Sequence, residues 1–130
     1  MVSPAMRKKP PVKGKGKRMS DCLFCKIVAG DIPADVVYED EQVLVFKDIY
    51  PKAKVHLLLI PKQHIVSLAE LDDSHAGLMG HMMTLLPKLA KQQGLDNGFR
   101  TIINTGSGGG QEVFHLHLHL LGGGQLPAFG

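Results

Sequence analysis

Three histidines, His115, His117 and His119, alternate with Leu116, Leu118 and Leu120 directly after the glycine-rich stretch Gly106-Ser107-Gly108-Gly109-Gly110. Successive side chains of a strand point to opposite faces, so the imidazoles would share one surface while the leucines enter a core on the other. Imidazole titrates near pH ~6.5 and can attack an electrophile, move a proton or bind a metal. A glycine loop lets backbone N–H groups approach an anion closely. Side by side, these residues point to chemistry on a phosphate. A lone histidine on a half-buried strand usually has no chemical task, but three in register carry repulsion and desolvation costs that a purely structural use leaves unexplained. Joint ligation of one cation by the three rings is the competing use.

The elements that must position this row follow from periodicity. Asp21 to Ala29 reads as a short helix with Leu23, Phe24, Ile27 and Val28 on one face, ended by Gly30 and Pro33. Val36 to Glu39 and Val43 to Phe46 flank the acidic turn Asp40-Glu41 as a hairpin, and Val55 to Ile60 is a longer apolar strand closed by Pro61. From Asp73 to Gln93 the spacing of Leu78, Met82, Leu85, Leu86 and Leu89 predicts the main helix, capped by Asp72 or Asp73 and ended by Gly94. Pro87 should kink or divide it. Phe99 to Asn104 and the histidine strand Val113 to Leu121 complete an α+β order with a largely antiparallel sheet.

The chain has 130 residues, 44% of them apolar and 5% aromatic, enough for one domain with an aliphatic core. Its net charge of +3 is misleading, because seven basic residues, Arg7 to Arg18, precede the first acid, Asp21. The remainder holds eight basic and twelve acidic residues, a net of −4, which argues against a broad nucleic-acid footprint. Residues 1–19, rich in Lys, Pro and Gly, are expected to form a disordered basic tail ahead of a domain at 20–130. Electrostatic contact with nucleic acid is the functional option for that tail, and a solvated terminus the plainer one. No apolar segment reaches the ~20 residues that span a bilayer, so no membrane partner is expected and a cytoplasmic location is the default.

The run Gly110-Gln111-Glu112-Val113-Phe114-His115-Leu116-His117-Leu118-His119-Leu120-Leu121-Gly122-Gly123 fits a His-φ-His-φ-His-φ-φ pattern, where φ is apolar, and resembles the histidine triad (HIT) superfamily. The likeness extends through Phe46-Lys47-Asp48-Ile49, His56 to His64 and Ile102-Ile103-Asn104, and points to the Hint branch of purine nucleoside phosphoramidases. It implies a HIT-like fold with a five-stranded sheet, one short and one long helix, and a homodimer across which the sheet continues. It also implies hydrolysis of the P–N bond of adenosine or guanosine phosphoramidates. By position, His117 resembles the nucleophile that accepts the nucleotidyl group, His119 a contact to the phosphate oxygens, and His115 and His56 residues that orient the row. Asp48 matches the acceptor for the ribose hydroxyls; an Asp at a strand end also commonly caps a turn. Ile49, Phe46, Leu23, Phe24 and Ile32 are candidates for a base pocket. Asn104, His119 and the backbone around Gly110, Gln111 and Glu112 are candidates to hold phosphate oxygens. Glu112 stands where many eukaryotic members carry Ser, and an ionised carboxylate cannot donate a hydrogen bond.

Cys22 and Cys25 are the only cysteines. Some histidine triad proteins hold zinc with an equivalent Cys-x-x-Cys, a histidine matching His64 and the first triad histidine, here His115. The resemblance thus implies a structural zinc on Cys22, Cys25, His64 and His115, with no cofactor required for catalysis; two small core residues are the plainer use. Three other functions compete: a metal-binding module built on the triad, a non-catalytic nucleotide-binding adaptor, and a dinucleoside polyphosphate hydrolase of the same superfamily.

Overall fold

The computed structural model describes residues 21–128; the expected basic tail, and Phe129 as a packing or partner contact, lie outside the described residues. Helix α1, Leu23–Ala29, ends at Gly30, whose φ of 86° suits a residue without Cβ. Strands β1, Val36–Glu39, and β2, Val43–Lys47, form the expected hairpin, and β3, Val55–Pro61, follows. Helix α2, Ala76–Gln92, precedes β4, Phe99–Ile102, and β5, Leu118–Gly122. All neighbours in the sheet are antiparallel, in the order β1-β2-β3-β5-β4.

Alternation along the central strands divides the interior into two layers. Val43, Val45, Leu57, Leu59, Leu118 and Leu120 pack with Leu78, Met82, Leu85, Leu86 and Leu89 of α2. Leu44, Phe46, Leu58 and Ile60 face the other way and pack with Phe24 and Ile27 of α1. The triad leucines join the α2 layer as expected, and Leu116, Leu118 and Leu120 are all at most 1% exposed. The imidazoles are thereby turned toward α1. At ~1.5–3 kcal/mol for each buried aliphatic side chain, the leucines fix the facing of the row more firmly than any contact of the histidines themselves.

Three expectations about elements are corrected. The histidine strand starts at Leu118 instead of Val113. Pro61 ends β3 and has no N–H to offer a ladder; Leu116 N–H instead donates to Ile65 O at 2.7 Å, and residues 113–117 follow the irregular chain beyond β3. With that partner strand curtailed, β4 likewise stops at Ile102, short of Asn104. Pro87 neither ends nor divides α2. It sits on the exposed side of the helix, and the residue four back whose carbonyl it cannot pair, Met83, is exposed as well.

The helix start and the hairpin are both built on aspartates. Asp72 caps a 3-10 turn, Asp73–His75, that leads into α2, with the His75 side chain returning the bond in a capping box. Asp40 Oδ1 accepts from Gln42 N–H and Val43 N–H, while its Oδ2 accepts from Tyr38 O–H at 2.8 Å and His81 Nε2–H at 2.7 Å. Burial alone would raise this carboxyl; the four donors overcome it and hold Asp40 down to about 2 from the ordinary 3.8. A carboxyl depressed on folding stabilises the fold above its unfolded value and loses that contribution as pH falls. Urea unfolding should therefore show a loss of about 2 kcal/mol between pH ~4 and ~2 that is absent in Asp40→Asn.

Candidate active site

His56, His117 and His119 come together beneath α1, on the wall of a cavity of about 670 Å³. β3 supplies His56 and β5 supplies His119, on adjacent antiparallel strands: His56 pairs with Leu121 and His119 with Leu58, so both rings leave the same face. Asp48, Ile49, Asn104, Gly110 and Glu112 line the same cavity, as do the expected base-pocket residues Leu23, Phe24, Ile32 and Phe46. His115 is not among them. It is wholly buried behind the cavity, against Cys22, Cys25 and His64.

Backbone partners decide where each ring carries its proton. A carbonyl can only accept, so His117, 2.8 Å from His115 O through Nδ1, bears hydrogen there and keeps a lone pair on Nε2. By the same logic His115 donates Nε2–H to Pro61 O at 2.8 Å, and its Nδ1 lone pair faces the cysteines. His56 Nδ1 accepts from Lys52 N–H at 3.0 Å, so its hydrogen is on Nε2, which donates to His119 Nδ1 at 2.9 Å. His119 then presents Nε2–H. The row thus sets a nucleophilic nitrogen on His117 beside a hydrogen-bond donor on His119.

Burial keeps His56, His115 and His119 neutral. It lowers His119 to about 4, helped by the neighbouring His117 and His56 and opposed by the Asp48 charge. It lowers His115 to about 4 as well, against the Pro61 carbonyl, and it also lowers His56, against Asp48. Neutral imidazole is the form that attacks phosphorus and binds metal.

Asp48 caps a turn at the cavity wall. Its Oδ1 caps the turn by accepting Tyr50 N–H at 2.8 Å, while Oδ2 lies 3.4 Å from His56 Nε2 on the cavity side. Each carboxylate oxygen has further lone pairs for a diol. Gln111 is a correction. Its side chain is buried and builds the loop, accepting Gly106 N–H and donating to Val66 O and Val113 O. The N–H groups of Gly110 and Gln111 are also spent, on Ser107 O and Gly106 O. Of the three expected backbone donors, Glu112 N–H alone has no acceptor among the described residues. Gly110, at φ 88°, permits the turn that brings Asn104 beside it.

The idea of one cation on all three triad rings is also corrected. Cys22 Sγ and Cys25 Sγ approach His115 Nδ1 at 3.4 and 3.5 Å, and His64 Nδ1 lies 3.1 Å from Cys25 Sγ and 3.2 Å from His115 Nδ1. Four donors around a common point, two thiols and two imidazoles, fit a tetrahedral soft cation. Asp48, His56 and His119 also cluster. There, however, both His56 nitrogens are in use, Nδ1 as acceptor and Nε2 as donor, so that group is a hydrogen-bond relay. His117 belongs to neither group.

Lys52 and Arg100 are among the contributors to the cavity that sequence reasoning missed. The Lys52 N–H that sets the His56 tautomer is backbone and leaves no trace in residue type. Arg100 lines the cavity and ties the C-terminal segment to it, donating to Pro127 O at 2.6 Å; its position two residues before Ile102, on the same face of β4, was the available signal.

Comparison with known proteins identifies the family. A family model described as "Scavenger mRNA decapping enzyme C-term binding" matches residues 21–126. The chain is 58% identical to Protein HitA of Neisseria gonorrhoeae over 104 residues, 80% of this chain and 97% of that one. It superposes on a HIT family hydrolase from Legionella pneumophila Philadelphia 1 with a TM-score of 0.80 and 50% identity, covering 82% of this chain and 96% of that chain. The chain belongs to the histidine triad superfamily. Another relative, a 14 kDa zinc-binding protein of Zea mays, is 45% identical over 109 residues, 82% of this chain and 85% of its own. The superfamily's signature row is thus divided here between two donor groups, with the middle ring free. A histidine whose native value is depressed is protonated first in the unfolded chain, so stability should fall as pH drops from ~6.5 toward 4. His119→Gln should flatten that slope in pH-dependent urea unfolding.

Proposed function

We propose that this histidine triad protein is a hydrolase that cleaves the P–N bond of purine nucleoside 5′-phosphoramidates. The observation that carries the reading is the tautomer of His117: Nδ1–H is bonded to the His115 carbonyl, which leaves the lone pair on Nε2 of a ring that lines the cavity. In this reading Nε2 attacks the α-phosphorus, the P–N bond breaks with its electron pair going to nitrogen, which takes a proton from solvent and leaves as the amine, and water opens the nucleotidyl-histidine to release the nucleoside monophosphate and restore the free ring. His119 Nε2–H donates to a phosphate oxygen, supported by the relay through His56 to Lys52 N–H, while Asn104 and Glu112 N–H are further donors. The apolar wall of Leu23, Phe24, Ile32, Phe46 and Ile49 suits a purine, and Asp48 beside it suits the ribose hydroxyls.

His115 is proposed as a positioning residue, because its carbonyl sets the His117 tautomer and its ring never reaches the cavity. A zinc on Cys22, Cys25, His64 and His115 fits the donor set and accords with the maize relative's name. When bound it would supply rigidity and no step of the reaction. Burial pushes the Cys25 thiol up to about 12, so occupation must displace a proton from that sulfur. Two free thiols suit a reducing, cytoplasmic setting, and among the described residues no helix is long and apolar enough to cross a membrane. A homodimer extended through β4, the edge strand bearing the half-exposed Phe99, is part of the same proposal.

Turnover of adenosine phosphoramidate should exceed that of diadenosine polyphosphate, and His117→Ala should lower it by at least about a thousandfold while leaving the unfolding transition unchanged. Faster cleavage of the polyphosphate would favour the dinucleotide hydrolase instead. Elemental analysis of chelator-free protein should find about one zinc per chain, reduced to a trace in Cys25→Ser.

A further inference from the structure

Phe24 stands between the two cysteines in sequence and between the donor group and the cavity in space. It is the second residue of α1, whose N-cap is Cys22, with Cys22 Sγ accepting Cys25 N–H at 3.3 Å. Its ring meets His117 edge-on, with centroids 5.2 Å apart and planes at 88°, and also meets His115 at 5.9 Å and Phe46 at 5.5 Å. Edge-to-face geometry between aromatic rings is directional, so the Phe24 ring restricts rotation of the His117 imidazole.

Two contacts therefore run from the Cys22–Cys25–His64–His115 group to His117. One is the His115 carbonyl on His117 Nδ1–H; the other is Phe24. Both depend on the same four donors. His115 is held by its neighbours in the group, and α1 has only seven residues, too few to be stable alone, so its seat on the sheet relies on packing and on the cysteines at its start. We propose that Phe24 is a positioning residue that couples the Cys22–Cys25–His64–His115 group to His117, so that occupation of that group by a soft divalent cation controls the reactivity of the middle triad ring from outside the cavity. The coupling rests on the reading of His117 as the nucleophile and on the zinc site proposed above. It assigns that metal a controlling role, with no part in the bond making.

The test uses the full chain loaded with zinc and compares wild type, Phe24→Leu and Phe24→Tyr. Long-range nitrogen-proton NMR reads the His117 tautomer, elemental analysis reads zinc, and steady-state kinetics read kcat and KM for adenosine phosphoramidate. Phe24→Leu is expected to retain zinc, to show His117 as a mixture of tautomers, and to lose about tenfold in kcat. Phe24→Tyr, which keeps the ring, should restore the wild-type signals. Withdrawing zinc from wild type with a chelator should produce the same mixed His117 signals without any substitution, which decides the matter if Phe24→Leu folds poorly. His117 signals that stay at their wild-type positions after both perturbations would overturn the coupling, as would a change confined to KM, the mark of a mere pocket wall. The NMR readout needs no turnover, so an inactive protein would sink the phosphoramidase reading separately, and a zinc-free protein would sink the metal's role.

Discussion

A hydrogen bond between a backbone carbonyl and a ring two residues later orders this site: His115 O accepts Nδ1–H of His117 at 2.8 Å. Because a carbonyl never donates, the bond determines which nitrogen of the middle histidine is left bare. The same rule applies at each flank, through Pro61 O on His115 and Lys52 N–H on His56. Three backbone groups therefore set the tautomers of four imidazoles, leaving hydrogen on Nδ1 of His117 and on Nε2 of His115, His56 and His119. Burial reinforces the division by keeping His56, His115 and His119 uncharged near neutral pH.

Rigid partition of the row follows from the sheet. The triad leucines are sealed into the α2 layer, so the rings cannot rotate away without exposing apolar surface. His115 falls before β5 begins, beside Pro61 at the end of β3, and its ring is held behind the cavity instead of in it. His119 falls inside the ladder opposite Leu58, which brings it against His56. One residue pattern thereby serves two environments: a thiol-imidazole group at one end and a polar relay at the other.

Much of this was legible from residue order. Alternating His and Leu implies the facing of the row, the Asp40-Glu41 turn implies the hairpin, and the family resemblance implies the cavity residues Asp48, Ile49, Asn104, Glu112 and His119. Failures share a cause. Gln111 looked like a ligand-binding residue and is a buried brace, because its amide can reach Gly106, Val66 and Val113 only once the loop has closed. Pro87 looked like a break and is tolerated on the exposed side of α2.

Periodicity and residue chemistry by themselves determined which face of the sheet carries imidazole, how many strands and helices support it, and which side chains could ligate or attack. These are properties of a local repeat and of functional groups, and they survive without knowledge of neighbours. Only the tertiary structure decided which nitrogen of each ring is protonated, which triad member leaves the cavity, and that Phe24 touches both His115 and His117. Those depend on groups far apart in the chain, and a tautomer is a response to a partner that the sequence cannot place.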